Sequence, residues 1–373
     1  EAHQQVSSSK GVEVFTASAL LAAKPRLGAT PFRGYDALEL PTTLTLLEHN
    51  GQEVATAPTG AAVRFALAAT PFYAESGGQV GDVGTVRGDG FTIAVTDVQK
   101  DEGLVVHIGT VTDGAAWPGA VIAAVDAAAR AATTRHHSAT HLLHSALNAI
   151  VGGHVEQQGS RVSPTELRFD VNSQAISKEQ QQQIEAWVGR AVAARHAVQI
   201  RELPIAEAKA AGAKALFGEK YGDRVRVVTM GSKDVSIELC GGCHVANTGD
   251  IGAFRIIKEE AVSAGVRRIT AVAGAVAEAL SGDEQRLADA GAAALGGGRG
   301  DTASLGELAR TFKAKVAEVP ERLAKLMAEV TAMAAKSGAT PQATAGTLTQ
   351  RVAALQEQLK GFQKAAEQAA AQA

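Results

Sequence analysis

The chain has 373 residues, of which 46% are hydrophobic and only 4% are aromatic. This length favours more than one domain, with cores built mainly from Ala, Val, Leu and Ile. The net charge of −3 excludes a globally basic nucleic-acid-binding protein, although a local basic patch can still bind RNA. The only two cysteines, Cys240 and Cys243, exclude a disulfide scaffold and favour a reducing compartment or metal binding.

The N-terminal residues carry no targeting pattern. No positively charged start is followed by an apolar run, and no apolar stretch reaches about 18 residues. We therefore predict neither a signal peptide nor a membrane span, and expect a cytoplasmic protein. Residues 1–32 lack a clear period and are predicted to be an N-terminal linker, with a short helix candidate at Gly11–Ala23.

From about Gly34 to Val111, within the predicted domain 33–115, the sequence shows the period of two that is typical of strands. Thr42–Glu48 precedes the hairpin turn Asn50-Gly51, and Phe91–Val98 and Leu104–Val111 flank a second turn. Short strands with regular turns predict a small β-barrel over this range. The run 70–79 interrupts the pattern and is predicted to be a functional loop.

From residue 116 to 275, helix and strand patterns alternate. Val121–Ile150 is predicted to be one long helix, and Ser177 to open another through a capping box. Several antiparallel strand candidates follow, so we predict an α+β domain. Residues 276–304 are predicted to be a linker and residues 305–373 a helical hairpin. The predicted fold class is α+β: a small β-barrel, a two-layer α+β domain and a C-terminal long-helix hairpin.

Two histidine-containing motifs carry the chemistry. His137 and His141 are four residues apart on a predicted helix, so they share a face and can bind one metal ion. Alone this pair is a weak signal, and the nearby His136 and His144 leave the ligand choice open; His144 could instead support a ligand.

The second motif is the Gly-rich segment that contains Cys240 and His244, again four residues apart. Thiolate and imidazole together favour zinc, and the two pairs complete a set of four ligands for one Zn²⁺. Two alternatives remain at this point: a redox pair formed by Cys240 and Cys243, and a structural zinc ion that uses both cysteines.

A family resemblance follows from several motifs in order along the chain. Arg33–Asp36 and the stretch from about Phe32 to Gly274 resemble alanyl-tRNA synthetase, in the half that removes wrongly attached amino acids and is shared with free-standing alanyl editing proteins. The motifs that carry the resemblance are TPFYAESGGQVGD (Thr70–Asp82), HSATHLLH (His137–His144), HVEQQGS (His154–Ser160), LRFD (Leu167–Asp170), LFGEKYGD (Leu216–Asp223) and CGGCHVANTGDIGAF (Cys240–Phe254).

The resemblance implies a post-transfer editing activity: hydrolysis of the ester of Ser-tRNA(Ala) or Gly-tRNA(Ala), within protein biosynthesis. It implies the same four zinc ligands, with Thr140 and Gln157 as active-site residues. It also favours a substrate-binding loop near the active site at Gly77, Gly78 and Gln79 over a simple barrel bulge. The family often has Thr at the position of Cys243, so this chain departs from it there.

Arg168, Arg267 and Arg268 are candidate phosphate contacts for tRNA(Ala), although surface arginines are more often only solvated. The resemblance also implies a homodimer in the full-length protein, through a C-terminal region that is truncated here. Nothing before Gly34 could hold an aminoacylation domain, so no charging activity is expected of this chain. The alternatives are a zinc hydrolase of another ester and a tRNA-binding module with structural zinc.

Overall fold

The computed structural model describes residues 18–215, 222–232 and 234–372. It divides the chain into two compact units, Glu1–Val276 and Ala277–Ala373. The helix α1 occupies Ala19–Leu27, so the first half of the helix candidate Gly11–Ala23 lies outside the described residues. Most of the LFGEKYGD motif, residues 216–221, lies outside them as well.

The first part of the larger unit is a closed antiparallel barrel. Six strands follow one another in the order β1-β4-β7-β6-β5-β8, and β8 pairs back onto β1. Two short strands add to this framework, β2 on β1 and β3 on β7. The strands are β1 Glu39–His49, β2 Gln52–Glu53, β3 Ala57–Pro58, β4 Ala62–Leu67, β5 Gly84–Gly88, β6 Phe91–Asp101, β7 Leu104–Ala116 and β8 Gly119–Val125.

The last barrel strand corrects one prediction. The segment Val121–Ile150 is not one helix, because its first five residues belong to β8 and the helix α2 begins at Ala127. Val121, Ala123 and Val125 alternate into the barrel core. Asp126 then ends the strand and starts the helix, since its carboxylate accepts hydrogen bonds from the first N–H groups of α2. The last strand of the barrel therefore ends at Val125.

The rest of the larger unit mixes helices and antiparallel sheets. One sheet has the order β14-β15-β10-β9, and another has the order β11-β12-β13. The elements are α2 Ala127–Ile150, β9 Gln157–Val162, β10 Leu167–Asn172, α3 Lys178–Ala193, β11 Val198–Pro204, α4 Ile205–Ala210, β12 Arg224–Met230, β13 Ser236–Leu239, β14 Phe254–Ser263 and β15 Val266–Ala273. Helices α2 and α3 share one hydrophobic core with the first sheet, around Leu142, Phe169 and Ile184. The predicted capping box of Ser177 and Gln180 is present at the start of α3.

The smaller unit is helical. Its elements are α5 Ala275–Ala294, α6 Ala303–Thr311, α7 Val319–Lys336 and α8 Leu348–Gln372. Pro320 lies in the first turn of α7, where its missing N–H leaves no hydrogen bond of the helix unmade, and α6 has already ended at Thr311. The segment predicted to be a linker, 276–304, is largely helical, and its Ala288 and Ala292 pack into the core formed with α7 and α8.

The structure confirms the predicted fold class of a barrel, an α+β part and long C-terminal helices. The domain limits drawn from the sequence remain predictions. Across the residues that the structure describes, no helix is long and apolar enough to cross a membrane.

Candidate metal centre

The two predicted ligand pairs meet in the larger unit. His137 and His141 project from α2, and Cys240 and His244 lie in the loop after β13. Their candidate ligand atoms all lie within 4.8 Å of one another. The Sγ atom of Cys240 is 3.3 Å from Nε2 of His137 and 3.3 Å from Nε2 of His244. Two side-chain pairs about one hundred residues apart in sequence thus form one cluster.

The cluster is buried, and burial controls the charge of its imidazoles. His137, His141 and Cys240 are buried, and His244 is partly exposed. Desolvation lowers the pKa of His137 to about 3. It also lowers the pKa of His141, and lowers that of His244 well below its ordinary value. Three neutral imidazoles are therefore available at neutral pH, and the neutral form is the one that binds metal ions.

Each histidine of the cluster has a polar atom next to its Nδ1. Nδ1 of His137 donates to Oε1 of Gln79 at 2.7 Å, and Nδ1 of His141 lies 3.2 Å from Oε2 of Glu238. Nδ1 of His244 is 3.3 Å from Oγ of Ser138. Metal-binding histidines are oriented by this kind of contact on the nitrogen that does not bind the metal. The arrangement favours Nε2 as the ligand atom of all three imidazoles.

The Glu238 carboxylate also links the cluster to a fourth histidine. Its second oxygen accepts a hydrogen bond from Nδ1 of His144 at 3.0 Å. Desolvation raises the pKa of Glu238, but His141 and His144 outweigh it and lower that pKa overall. The buried carboxylate is therefore ionised and adds a negative charge beside the cluster. His144 thus contacts the carboxylate that lies beside His141, and it is not one of the four candidate ligands.

The donor set fits a zinc ion. Three imidazoles and one thiolate are ligands that zinc prefers in tetrahedral sites. The thiolate and the Glu238 carboxylate together would balance the charge of a divalent cation. Cys243, in contrast, lies outside the group of four ligands, and burial raises the pKa of its thiol.

The loop that carries Cys240 is held from two sides. Nη1 of Arg226 donates to the carbonyl oxygens of Cys240 and Gly242, at 2.9 and 2.7 Å. The hydroxyl of Tyr35 donates to the carbonyl oxygen of Gly241 at 2.5 Å. Gly242 lies so close to His137 that a Cβ atom there would be 2.0 Å from Cε1 of the ring. The loop and the helix are therefore in direct contact at the cluster.

The predicted loop residues Gly77, Gly78 and Gln79 pack between β9 and the cluster. Gln79 is fully buried; its Oε1 accepts hydrogen bonds from His137 and from the backbone N–H of Cys243, the latter at 2.9 Å. Gly77 and Gly78 both have positive φ, and a Cβ atom on Gly78 would be 2.1 Å from Oγ of Ser160. The glycines thus permit a close approach to the protein's own strand, and Gln79 orients a candidate ligand.

Thr140 and Gln157 have partners of their own. The hydroxyl of Thr140 donates to the carbonyl oxygen of His136 in the preceding turn, at 2.9 Å. Its oxygen can still accept a hydrogen bond from another group. Nε2 of Gln157 donates to Oγ of Ser160 at 3.2 Å. The structure therefore shows for Thr140 the hydrogen bond within its own helix, and for Gln157 a link to the strand beside Gly78.

The three candidate RNA-binding arginines are each paired with a carboxylate. Arg168 binds Glu166, Arg267 binds Glu259, and Arg268 makes two hydrogen bonds with Asp170. Arg168 and Arg268 lie in the same sheet, on β10 and β15. These ion pairs neutralise much of the positive charge, so an RNA phosphate would have to compete with a carboxylate at each position.

Comparison with known proteins shows to which family the chain is related. Residues 225–270 match a family model described as "Threonyl and Alanyl tRNA synthetase second additional domain", and residues 1–129 match one described as "tRNA synthetases class II (A)". The alanine–tRNA ligase of Acidithiobacillus ferridurans is 50% identical over 266 residues, which cover 70% of this chain and 30% of that protein. Those of Haemophilus influenzae (strain PittGG) and Stenotrophomonas maltophilia (strain K279a) are each 46% identical, over 79% and 84% of this chain and 34% and 35% of theirs. The chain belongs to the alanyl-tRNA synthetase family. It spans about a third of the length of the curated relatives that it matches.

Sequence reasoning missed several residues of this synthetase-family site. Ser138, Arg226 and Tyr35 were not singled out, although Ser138 stands directly beside His137. Glu238 lies two residues before Cys240 on β13, so its side chain is on the same side of the strand as that of Cys240. That two-residue spacing could have indicated that Glu238 lies near the candidate ligands. Tyr35 lies in the Arg33–Asp36 run that resembles the synthetase, but neither that run nor the sequence around Arg226 predicts their contacts, because these depend on how distant segments pack.

Proposed function

We propose that this chain is an editing hydrolase that removes serine or glycine from mischarged tRNA(Ala). The observation that carries the proposal is the buried group of His137, His141, Cys240 and His244. Gln79, from a distant segment, holds the His137 imidazole by a hydrogen bond, and the Glu238 carboxylate lies 3.2 Å from Nδ1 of His141. Membership of the alanyl-tRNA synthetase family supplies the substrate class.

In this proposal the four side chains would hold one zinc ion. It would polarise the ester only if a coordination position were open to it, and with all four ligands bound it would instead help to position the substrate. The chain's own residues do the rest. Gln79 and Ser138 hold the imidazoles of His137 and His244 by contacts with Nδ1, and the Glu238 carboxylate lies beside that of His141. The partly exposed His244 leaves the group open to the substrate and to the water that the hydrolysis consumes. Gln157, held by Ser160 beside the glycine loop, is proposed to lie along the path of the substrate.

Thr140 is proposed to distinguish serine from alanine. Its O–H is committed to the carbonyl of His136, so its oxygen acts as an acceptor for the hydroxyl of a bound serine. Alanine would leave that buried acceptor unpaired, and a site built to bind a hydroxyl penalises a ligand that lacks it.

The catalytic proposal is tested by deacylation of Ser-tRNA(Ala), Gly-tRNA(Ala) and Ala-tRNA(Ala), with zinc content measured on the same samples. We expect hydrolysis of the seryl and glycyl esters and little of the alanyl ester. Cys240→Ala should lose zinc and activity, whereas Cys243→Ala is the matched control and should keep its zinc. No hydrolysis by a folded, zinc-loaded chain would refute the proposal. Loss of zinc in both variants would instead favour a site that uses both cysteines.

The specificity proposal is tested by Thr140→Val. Thr133 is the matched control, because its buried hydroxyl makes the same hydrogen bond to the preceding turn of the same helix, at 2.9 Å to the Ala129 carbonyl. We expect Thr140→Val to reduce the preference for the seryl over the alanyl ester about 10-fold or more, with unchanged zinc content. An equal loss of both activities, or the same effect in Thr133→Val, would contradict the role of Thr140.

A further inference from the structure

Tyr35 is an exposed aromatic residue at the edge of the metal-binding loop. It remains 48% exposed although its hydroxyl is bonded to the Gly241 carbonyl. The guanidinium carbon of Arg226 lies 4.3 Å from the centre of its ring, and the ring of Phe32 is nearly perpendicular to it, with the ring centres 4.8 Å apart. A large exposed ring beside a cation, next to a cluster of candidate ligands, needs an explanation beyond core packing.

The exposed side of the cluster lies next to this tyrosine. His137, His141 and Cys240 are buried, whereas His244 is partly exposed and Gly241 is exposed. A substrate can therefore reach the cluster at His244, and the exposed Gly241 lies three residues before it in the same loop. Tyr35 borders that side, because its hydroxyl is bonded to the Gly241 backbone.

The segment that carries Tyr35 is held rigidly. The N–H of Arg33 donates to the Thr70 carbonyl at 2.8 Å, and Nη1 of the buried Arg130 donates to the Gly34 carbonyl at 2.6 Å. A Cβ atom on Gly34 would be 1.9 Å from the carbonyl oxygen of Pro71, so the backbone is packed closely there. Rigid presentation lowers the entropic cost of binding a ligand to the ring.

We propose that Tyr35 and Arg226 form the subsite for the terminal nucleobase of the aminoacylated RNA. This inference rests on the proposed function. The base and the ester are joined by a single ribose, so a surface that receives the base has to lie directly beside the ester-cleaving group. Tyr35 meets this condition, because it contacts the residue that follows Cys240. Aromatic rings bind unpaired bases by stacking, and arginine adds to that interaction.

The test uses two non-hydrolysable probes with the zinc-loaded chain. One is adenosine that carries serine in amide linkage on its 3′ position, and the other is the same ribose amide without the base. Calorimetric titration should show that Tyr35→Leu weakens binding of the adenosine probe about 10-fold to 100-fold. The baseless probe should bind Tyr35→Leu and the wild type equally.

Two further variants separate stacking from loop support. Tyr35→Phe keeps the ring and loses the bond to Gly241, so it should bind the adenosine probe at least ten times more tightly than Tyr35→Leu. Trp117 is an aromatic residue of similar exposure, 40%, on the barrel, and Trp117→Leu should not change the binding. Equal weakening in Tyr35→Phe and Tyr35→Leu, or loss of zinc from Tyr35→Leu, would overturn the inference in favour of a structural role.

Deacylation of Ser-tRNA(Ala) then separates this inference from the proposed function. If the wild type deacylates and Tyr35→Leu has the same KM, the subsite is refuted while the editing function stands. If the wild type does not deacylate, yet Tyr35→Leu selectively weakens the adenosine probe, the hydrolytic function is refuted and the subsite stands.

Discussion

The contact between Gly242 and His137 provides a sharp test of the metal centre. A Cβ atom on Gly242 would lie 2.0 Å from Cε1 and 2.3 Å from Nδ1 of His137, whereas ordinary contacts begin at 3.4 Å. In Gly242→Ala the ring or the loop therefore has to retreat by about 1.4 Å, the difference between 3.4 and 2.0 Å. Metal–ligand distances are tolerated only within about 0.2 Å.

Neither the loop nor the His137 ring can move by this distance without breaking another contact. Movement of the loop pulls Cys240 away, since Arg226 ties the carbonyls of Cys240 and Gly242 together. Movement of the ring breaks the bond between His137 and Gln79. Either response disturbs one of the four ligands. Disturbing even the group that orients a ligand typically costs about 10-fold to 100-fold in metal affinity, so we expect a loss of at least that size.

Gly241→Ala is the matched control. Its added Cβ would meet nothing within 4 Å, and φ is positive at neither glycine. Both substitutions restrict the unfolded chain to the same degree, so their difference isolates the contact with His137. Competition with a chromophoric chelator would measure the zinc affinity of both variants, and circular dichroism would check their folding. Equal affinity of Gly242→Ala and the wild type would refute the positioning of His137 by this loop.

Other buried groups give three further expectations. Glu238→Gln should lower zinc affinity about 10-fold to 100-fold in the same competition assay; an unchanged affinity would mean that the carboxylate does not orient His141. Burial lowers the pKa of His107 from 6.5 to about 4. Between pH 4 and pH 6.5 this imidazole is therefore protonated to a greater extent in the unfolded chain than in the folded chain. His107 should therefore contribute fully to stability above pH 6.5 and lose about 3 kcal/mol of that contribution as the pH falls to 4. Urea titrations at several pH values should show that His107→Gln lacks this part of the dependence of unfolding free energy on pH. The same dependence in His107→Gln and the wild type would contradict the lowered pKa of His107. Asp82→Asn removes the charge that pairs with buried Arg130, and should cost about 3–5 kcal/mol of unfolding free energy; a loss below about 1 kcal/mol would show that the pair is not needed.

The local part of the candidate site could be predicted from the sequence. The spacing of His137 and His141 on a helix places both on one face, and Cys240 and His244 repeat that spacing in a Gly-rich segment. The chemistry of these side chains then indicates zinc. The turn at Asn50-Gly51 and the capping box at Ser177 were predictable for the same reason, because both depend on residues close together in the chain.

Only the tertiary structure shows what surrounds the ligands. Cys240 and His137 are 103 residues apart in the sequence, and Gln79 and His137 are 58 apart. No local pattern indicates that the Gln79 amide is hydrogen-bonded to an imidazole, or that Tyr35 contacts the loop that carries Cys240. Likewise the sequence predicts helix for Val121, Ala123 and Val125, because a short alanine-rich apolar run is compatible with a helix and with a buried strand, and only pairing with neighbouring strands decides between them. The strand forms because β1 and β5 offer hydrogen bonds on both sides and close the barrel. The sequence thus determined which residues can bind a metal, and the packing of distant segments decided which groups orient, enclose and give access to them.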